Sequence, residues 1–199
     1  MMATRMTVRQ ESCDGRRLMA QAVEQFRAAA LSKGVKLFKQ GGEPLPPIWA
    51  EPRQVVQILS NLISNAVKFT PAHGNVSVSV CEGRFEHAGT LVFKVKDTGC
   101  GTAAKDIDDL FERFIHADGG KAGKRKGLGL TMARLMVELH GGRLWMESWK
   151  GAGTAFYFSI PVARDDSDGA IAAYPKEPES AGLFSSLARR VNAMLARLV

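Results

Sequence analysis

Residues 54–70, "QVVQILSNLISNAVKFT", carry the pattern around which the rest of the chain is organised. Val55, Ile58, Leu59, Leu62, Ala66 and Phe69 recur at i, i+3, i+4 spacing, which predicts a helix with one apolar face turned to a core. Glu51-Pro52 opens this helix and Pro71 stands just beyond its end. The other stripe, Gln54, Gln57, Asn61, Asn65 and Lys68, holds amides where a surface helix would hold Glu and Lys. Asparagine costs a helix roughly half a kcal/mol relative to alanine, so two of them one turn apart call for a reason. They could hydrogen-bond a neighbouring loop. They could instead form a metal–phosphate face, because Mg²⁺ accepts a neutral amide oxygen, keeps several waters and draws its other oxygens from phosphates. Lys68, further along the same stripe, would then meet those phosphates. The helix alone leaves both readings open.

Working outward, residues 15–33, "GRRLMAQAVEQFRAAALSK", place Leu18, Ala22, Val23, Phe26 and Ala30 at helical spacing and stop at Gly34. "VKLFK" (35–39) reads as a short strand and "QGGEPLPPI" (40–48) as a Gly/Pro loop. "NVSVSV" (75–80) and "TLVFKVKD" (90–97) alternate with period two, which predicts antiparallel strands joined by "CEGRFEHAG". A short helix is expected at "AAKDIDDLFERF" (103–114), followed by the aperiodic, basic loop "IHADGGKAGKRKG" (115–127). "LGLTMARLMVELH" (128–140) is a helix closed by Gly141-Gly142, and "RLWMESW", "KGAG" and "TAFYFSI" form a last hairpin that halts at Pro161. Hairpins mixed irregularly with helices predict an α/β fold: a two-layer α/β sandwich whose mixed, mostly antiparallel sheet has helices on one face.

This domain is expected to span residues 1–162. Residues 163–180, polar and proline-bearing, read as a linker. Residues 181–199 put Phe184, Leu187, Val191, Met194, Leu195 and Leu198 on one face of an amphipathic helix, with Arg189, Arg190 and Arg197 elsewhere. That helix could pack back on the domain, pair with a partner helix or lie on an anionic membrane surface; it is expected to be a docking element, and any membrane contact would be through it alone.

The composition bounds the class. At 199 residues, 45% hydrophobic and 24% charged, the chain suits one medium globular domain plus a tail. Its three cysteines, Cys13, Cys81 and Cys100, are odd in number and far apart, which argues against a disulfide framework or a zinc site and for a reducing compartment. No apolar run approaches the ~18 residues of a membrane span, and the start lacks the apolar stretch of a signal peptide. The formal charge of +7 points to a polyanionic partner.

Two glycine loops narrow that choice. In "DTGCG" (97–101), Asp97 ends a strand, where its carboxylate could accept from the exocyclic amine of a purine, while Gly99 and Gly101 let backbone approach a flat base. A hairpin turn is the competing reading, although the next segment is helical. "GLGL", Gly127, Leu128, Gly129 and Leu130, opens the long helix, and a helix N-terminus exposes unpaired N–H groups to anions. Just before it stand Lys121, Lys124, Arg125 and Lys126, either a solvated charge run or a lid over polyphosphate. The cluster lacks the interleaved aromatics of a single-strand platform, so nucleic acid is not the expected partner.

Together and in this order, these motifs resemble the ATP-binding catalytic domain of sensor histidine kinases, in the superfamily shared with gyrase, the large heat-shock chaperone and mismatch-repair ATPases. "NLISNAVKFT" resembles the family's N box, "DTGCG" its first glycine box, "LFERF" its F box, "GLGL" its second glycine box and "GAGTAFYFSIP" its last strand pair. The likeness covers about residues 15–162. The resemblance implies a Bergerat-type sandwich with ATP and Mg²⁺ as cofactors. It implies that Asn65 supplies the Mg²⁺ oxygen with Asn61 beside it, that Lys68 lies near the phosphates and that Phe69 meets the nucleotide. By the same resemblance Asp97 holds the adenine amine, Gly99 and Gly101 shape that pocket, Thr154 closes it, and Gly127 and Gly129 receive the phosphates.

Three departures stand out. Arg125-Lys126 replaces the usual Gly-Thr ahead of "GLGL", and Thr102 replaces an aliphatic residue. None of the four histidines, His73, His87, His116 and His140, has the context of a phosphoacceptor. The resemblance therefore implies phosphoryl transfer from Mg·ATP to a histidine on a separate or missing dimerisation domain, with a response regulator downstream. The expected location is cytoplasmic, or the cytoplasmic part of a membrane-associated sensor. The alternatives are a non-catalytic nucleotide sensor or scaffold, a serine-directed kinase and a clamp-type ATPase. The clamp is disfavoured because its relatives carry a glutamate base where this chain has Asn61.

Overall fold

The structure, a computed structural model, describes residues 9–102 and 128–163. The short helix and basic loop expected at 103–127, the linker beyond Ala163 and the C-terminal helix lie outside the described residues. The chain divides into two units, Met1–Arg164 and Asp165–Val199, and the described residues all belong to the first.

Strand β1, Glu11–Cys13, leads into helix α1, Gly15–Ser32. Asp14 caps that helix, its carboxylate accepting from the Arg16 and Arg17 amides at 2.8 and 3.2 Å. Strands β2, Lys36–Gln40, and β3, Ile48–Ala50, follow. The sequence gives no warning of β1 or β3, which pair antiparallel with each other, Glu11 opposite Ala50. Three-residue strands are too short to show a period.

Helix α2, Pro52–Phe69, is the helix of the amide stripe. Proline at its first position loses no needed N–H, and the Glu51 carboxylate accepts from the Arg53 and Gln54 amides. Its apolar face is enclosed up to its last turn: Val55, Ile58, Leu59, Leu62 and Ile63 are each 0% exposed, whereas Phe69, expected on the same core face, ends the helix at the rim of the sheet and is left more than half exposed. At the far end the Thr70 hydroxyl donates to the Ala66 carbonyl, and the Lys33 ammonium donates to the carbonyls of Val67 and Lys68, satisfying groups a helix leaves unpaired.

Strands β4, Asn75–Glu82, and β5, Thr90–Asp97, form a hairpin through a turn of 3₁₀ helix at Phe85–His87. Helix α3, Leu128–Leu139, is followed by the hairpin of β6, Leu144–Trp149, and β7, Gly153–Pro161. The main sheet has five strands in the order β2-β4-β5-β7-β6, with β2 parallel to β4 and every other pair antiparallel. Inward residues Val76, Val78, Leu91, Phe93, Val95, Phe158 and Ile160 join the apolar faces of the three helices in one core. Phe93 and Phe158, opposite each other in register, stack at 4.7 Å within it. The two-layer sandwich expected from the sequence is the architecture observed. Among the described residues no helix is long and apolar enough to cross a membrane.

Candidate functional site

The C-terminal end of β5 delivers Asp97 in phase with Leu91, Phe93 and Val95, so its carboxylate points into the helical layer rather than to solvent. It is 4% exposed. Its Oδ1 accepts from the Gly99 amide at 2.7 Å and from the Thr154 amide at 3.3 Å. Burial pushes the Asp97 carboxyl above the usual aspartate range, opposed by these two N–H groups.

The loop after Asp97 is tightly seated. A Cβ at Gly99 would stand 2.6 Å from the Phe69 carbonyl oxygen, and Gly101 has φ +60° with the Trp149 carbonyl where a side chain would go. Neither position admits another residue without movement. The loop is tied to the β6–β7 hairpin by the Gly151 amide donating to the Cys100 carbonyl and the Thr102 amide donating to the Ser148 hydroxyl, at 2.6 and 2.8 Å.

A cleft of about 180 Å³ opens above Asp97. Helix α2 contributes Asn65, Ala66 and Phe69, the loop Cys100, Gly101 and Thr102, and the first turn of α3 Leu130. Met146, Thr154 and Phe156 from β6 and β7 complete it. Asp97 and Thr154, joined through the Thr154 amide, and Asn65 of α2 are the polar groups of an otherwise mostly apolar lining, suited to a flat ring carrying a few polar edge groups.

The two asparagines of α2 separate in role. Asn61 donates its amide N–H to the Gly129 carbonyl at 3.0 Å and accepts from Gln57 at 3.1 Å, so it fastens α2 to the first turn of α3. Asn65 makes no hydrogen bond to any described residue and faces the cleft. Lys68 does not line the cleft. Its ammonium lies 5.2 Å from the centroid of the Phe69 ring, on an adjoining depression it shares with Lys33, Thr98 and Gly99. Phe69, 54% exposed, borders both openings. A Cβ at Gly129 would meet the Asn61 carboxamide at 3.6 Å, ordinary contact, and Leu130 reaches from the cleft into the core. Leu128 begins α3, while Lys121, Lys124, Arg125, Lys126 and Gly127 lie outside the described residues.

Met146 and Phe156 are cleft residues that reading the motifs did not single out, and Thr102, noted there only as a departure after the glycine box, lines the cleft with them. A signal for one of them was present: Phe156 follows Thr154 by two along a strand and so shares its face. Met146 stands opposite Phe156, a register no motif announces.

The histidines have other work. His140 is 1% exposed, its Nδ1 donating to the Met136 carbonyl and its Nε2 accepting from the Glu51 amide, so it joins the end of α3 to the start of α2 as a neutral imidazole. His87 stacks on Trp145 at 4.4 Å, His73 sits in a turn at φ +70°, and His116 is outside the described residues. Among the described residues no three His, Cys, Asp or Glu side chains gather where they could hold a metal ion.

Comparison with known proteins gives a consistent picture. The family described as "Histidine kinase-, DNA gyrase B-, and HSP90-like ATPase" matches residues 50–164. The sensor histidine kinase WalK of Bacillus subtilis is 40% identical over 119 residues, 58% of this chain and 19% of WalK. The non-motile and phage-resistance protein of Caulobacter vibrioides is 37% identical over 82% of this chain and 20% of its own length. Among solved structures, full-length ShkA in complex with AMPPNP has a TM-score of 0.69 at 31% identity, covering 82% of this chain and 33% of that one. The catalytic domain of the histidine kinase ThkA, at 21% identity and a TM-score of 0.61, shares the fold over 77% of this chain and 95% of its own. The chain therefore spans only about a fifth of the length of the two curated relatives described.

Proposed function

The chain belongs to the family of histidine kinase-, DNA gyrase B- and HSP90-like ATPases, and on that premise we propose that it is the ATP-binding catalytic domain of a sensor histidine kinase. The observation that carries this reading is the cleft between Asp97 and Asn65: a buried carboxylate at a strand end faces an amide that no described residue occupies. The adenine ring lies against Met146, Phe156 and Leu130, and its exocyclic amine donates to Asp97. The triphosphate leaves along Asn65 toward the first turn of α3, whose N–H groups and dipole favour its charge.

A lone amide oxygen cannot hold Mg²⁺ by itself, and no carboxylate cage stands nearby among the described residues, which fits a metal that arrives already bound to phosphates. Asn65 would be its protein ligand. Bound there, the ion would neutralise charge on the transferring phosphoryl group. The protein's own share is to orient the nucleotide, exclude water from the ring and present the γ-phosphate in line with a neutral imidazole from another domain. The imidazole lone pair forms the N–P bond as the β–γ bridging P–O bond breaks, the electron pair leaving on ADP. A clamp-type ATPase would have to activate water. Asn61 stands where such relatives carry their base, yet its amide is not basic and is already engaged with Gly129 and Gln57.

The partners proposed are a histidine-bearing dimerisation domain and, downstream, a response regulator, with the chain in the cytoplasm or on the cytoplasmic side of a membrane-associated sensor. Mixing the chain with histidine-hairpin domains and γ-labelled ATP tests this. Acid-labile, base-stable label on the hairpin is the expected result, and its absence across a broad panel while ATP still binds would leave a nucleotide sensor.

A further inference from the structure

Behind the cleft wall, and not part of it, stands Ser148 of β6. It is 6% exposed and directly opposite Thr154 in the β6–β7 ladder. Its hydroxyl oxygen lies 2.8 Å from the Thr154 hydroxyl, 3.2 Å from the Gly153 carbonyl and 2.8 Å from the Thr102 amide. A serine hydroxyl has one proton to give and two lone pairs. The Thr102 N–H takes one lone pair. Giving the proton to the Gly153 carbonyl leaves the second lone pair for the proton of Thr154, and all three bonds are then made. The reverse assignment, with Ser148 donating to Thr154, makes one bond fewer, because the Gly153 carbonyl then keeps its place in the ladder opposite Trp149 but loses the hydroxyl.

We propose that Ser148 is a specificity-determining positioning residue: it holds the proton of the Thr154 hydroxyl away from the cleft, so that Thr154 faces the bound base only as an acceptor. The inference rests on the adenine-nucleotide reading of the cleft and deepens it. With Asp97 also accepting, the Asp97–Thr154 corner of the cleft then presents two acceptors, the Asn65 carboxamide being a separate group of the lining. A base with an exocyclic amine is welcomed there. One with a keto oxygen at the same position, as in inosine triphosphate, meets two acceptor oxygens at that corner. Because the Thr102 amide bonds the same oxygen, Ser148 also fixes the end of the glycine loop, so both threonines of the cleft are set by one buried hydroxyl.

The test is to titrate ATP and inosine triphosphate against the wild-type chain, Ser148→Ala, and Ser148→Ala in a Thr154→Val background. In Ser148→Ala the Thr154 hydroxyl is free to turn and donate, and the preference for ATP over inosine triphosphate is expected to narrow about three- to tenfold, the worth of one hydrogen bond. In the Thr154→Val background the same change is expected to leave the ratio unmoved, because Ser148 acts through Thr154. A purely structural serine would weaken both nucleotides alike and leave the ratio intact, which overturns the inference while ATP binding, and with it the functional reading, survives. Wild-type protein that binds neither nucleotide would overturn both. Should Ser148→Ala not fold, Ser148→Cys keeps the volume and a poor hydrogen-bonding group, and an unchanged ratio there overturns the inference equally.

Discussion

Asp97 shows how a single side chain can cost stability for the sake of a site. Burial raises its carboxyl above the ordinary aspartate value of about 4, so the folded protein holds that proton more tightly than the unfolded chain does. Its contribution is therefore fully present below that ordinary value and is lost as pH rises through the raised one. Asp97→Asn keeps an oxygen for the Gly99 and Thr154 amides but has no charge to desolvate. Thermal melts across pH 4–8 are expected to show the variant gaining on wild type as pH rises. Its ATP affinity is expected to fall about 10- to 100-fold, the worth of a hydrogen bond to a charged acceptor. The cysteines separate on the same physics. Cys13, half-buried beside Glu11, has its thiol pushed up to about 11, chiefly by burial. Cys81 and Cys100 are exposed. Iodoacetamide followed by peptide mass spectrometry is expected to mark Cys81 and Cys100 well ahead of Cys13, with ATP slowing Cys100 alone because it borders the cleft.

Among the elements, α2 was the most legible in sequence, since its period, its Glu51-Pro52 start and its stop at Phe69 are all local properties. What could not be read was which asparagine meets what. The i, i+4 spacing puts Asn61 and Asn65 on one side, but a turn of helix separates them by about 5.4 Å. That rise is enough for Asn61 to meet Gly129 while Asn65 meets the open cleft. Lys68 illustrates a second limit: its long flexible stem lets the ammonium turn back over Phe69, whatever the helix phase dictates. The Lys33 bonds to the end of α2 were equally invisible, being set by how α1 crosses α2. Lys33→Met removes both and is expected to cost about 1 kcal/mol, lowering the melting temperature by about 3–5 °C. Because Phe69 and the Gly99 contact sit one residue further along, ATP affinity should fall with it in the same titration.

At the scale of the whole molecule, the sandwich was readable because the β4–β5 hairpin alternates cleanly, Val76, Val78 and Val80 against Ser77 and Ser79, and glycine turns mark the β6–β7 hairpin. The parallel placement of β2 beside β4, and the β1–β3 pair, depend on contacts between distant segments and leave no local trace. The same scale governs activity. With no described histidine lining the cleft and no base at Asn61, the chain alone is expected to bind ATP and release ADP very slowly. Coupled-enzyme turnover assays check this, and brisk hydrolysis lost in Asn61→Ala would instead mark a water-activating site. The small β1–β3 ladder also has a mechanical side. Ala50, its last rung, is covalently joined through Glu51 to the start of α2. Traction on the residues ahead of Glu11 is therefore borne first by three rungs of backbone and the Asp14 cap. While that short zipper holds, part of the load passes through Ala50 and Glu51 to the amide helix; once it opens the load falls on α1 alone, which makes the ladder a mechanical fuse ahead of the cleft.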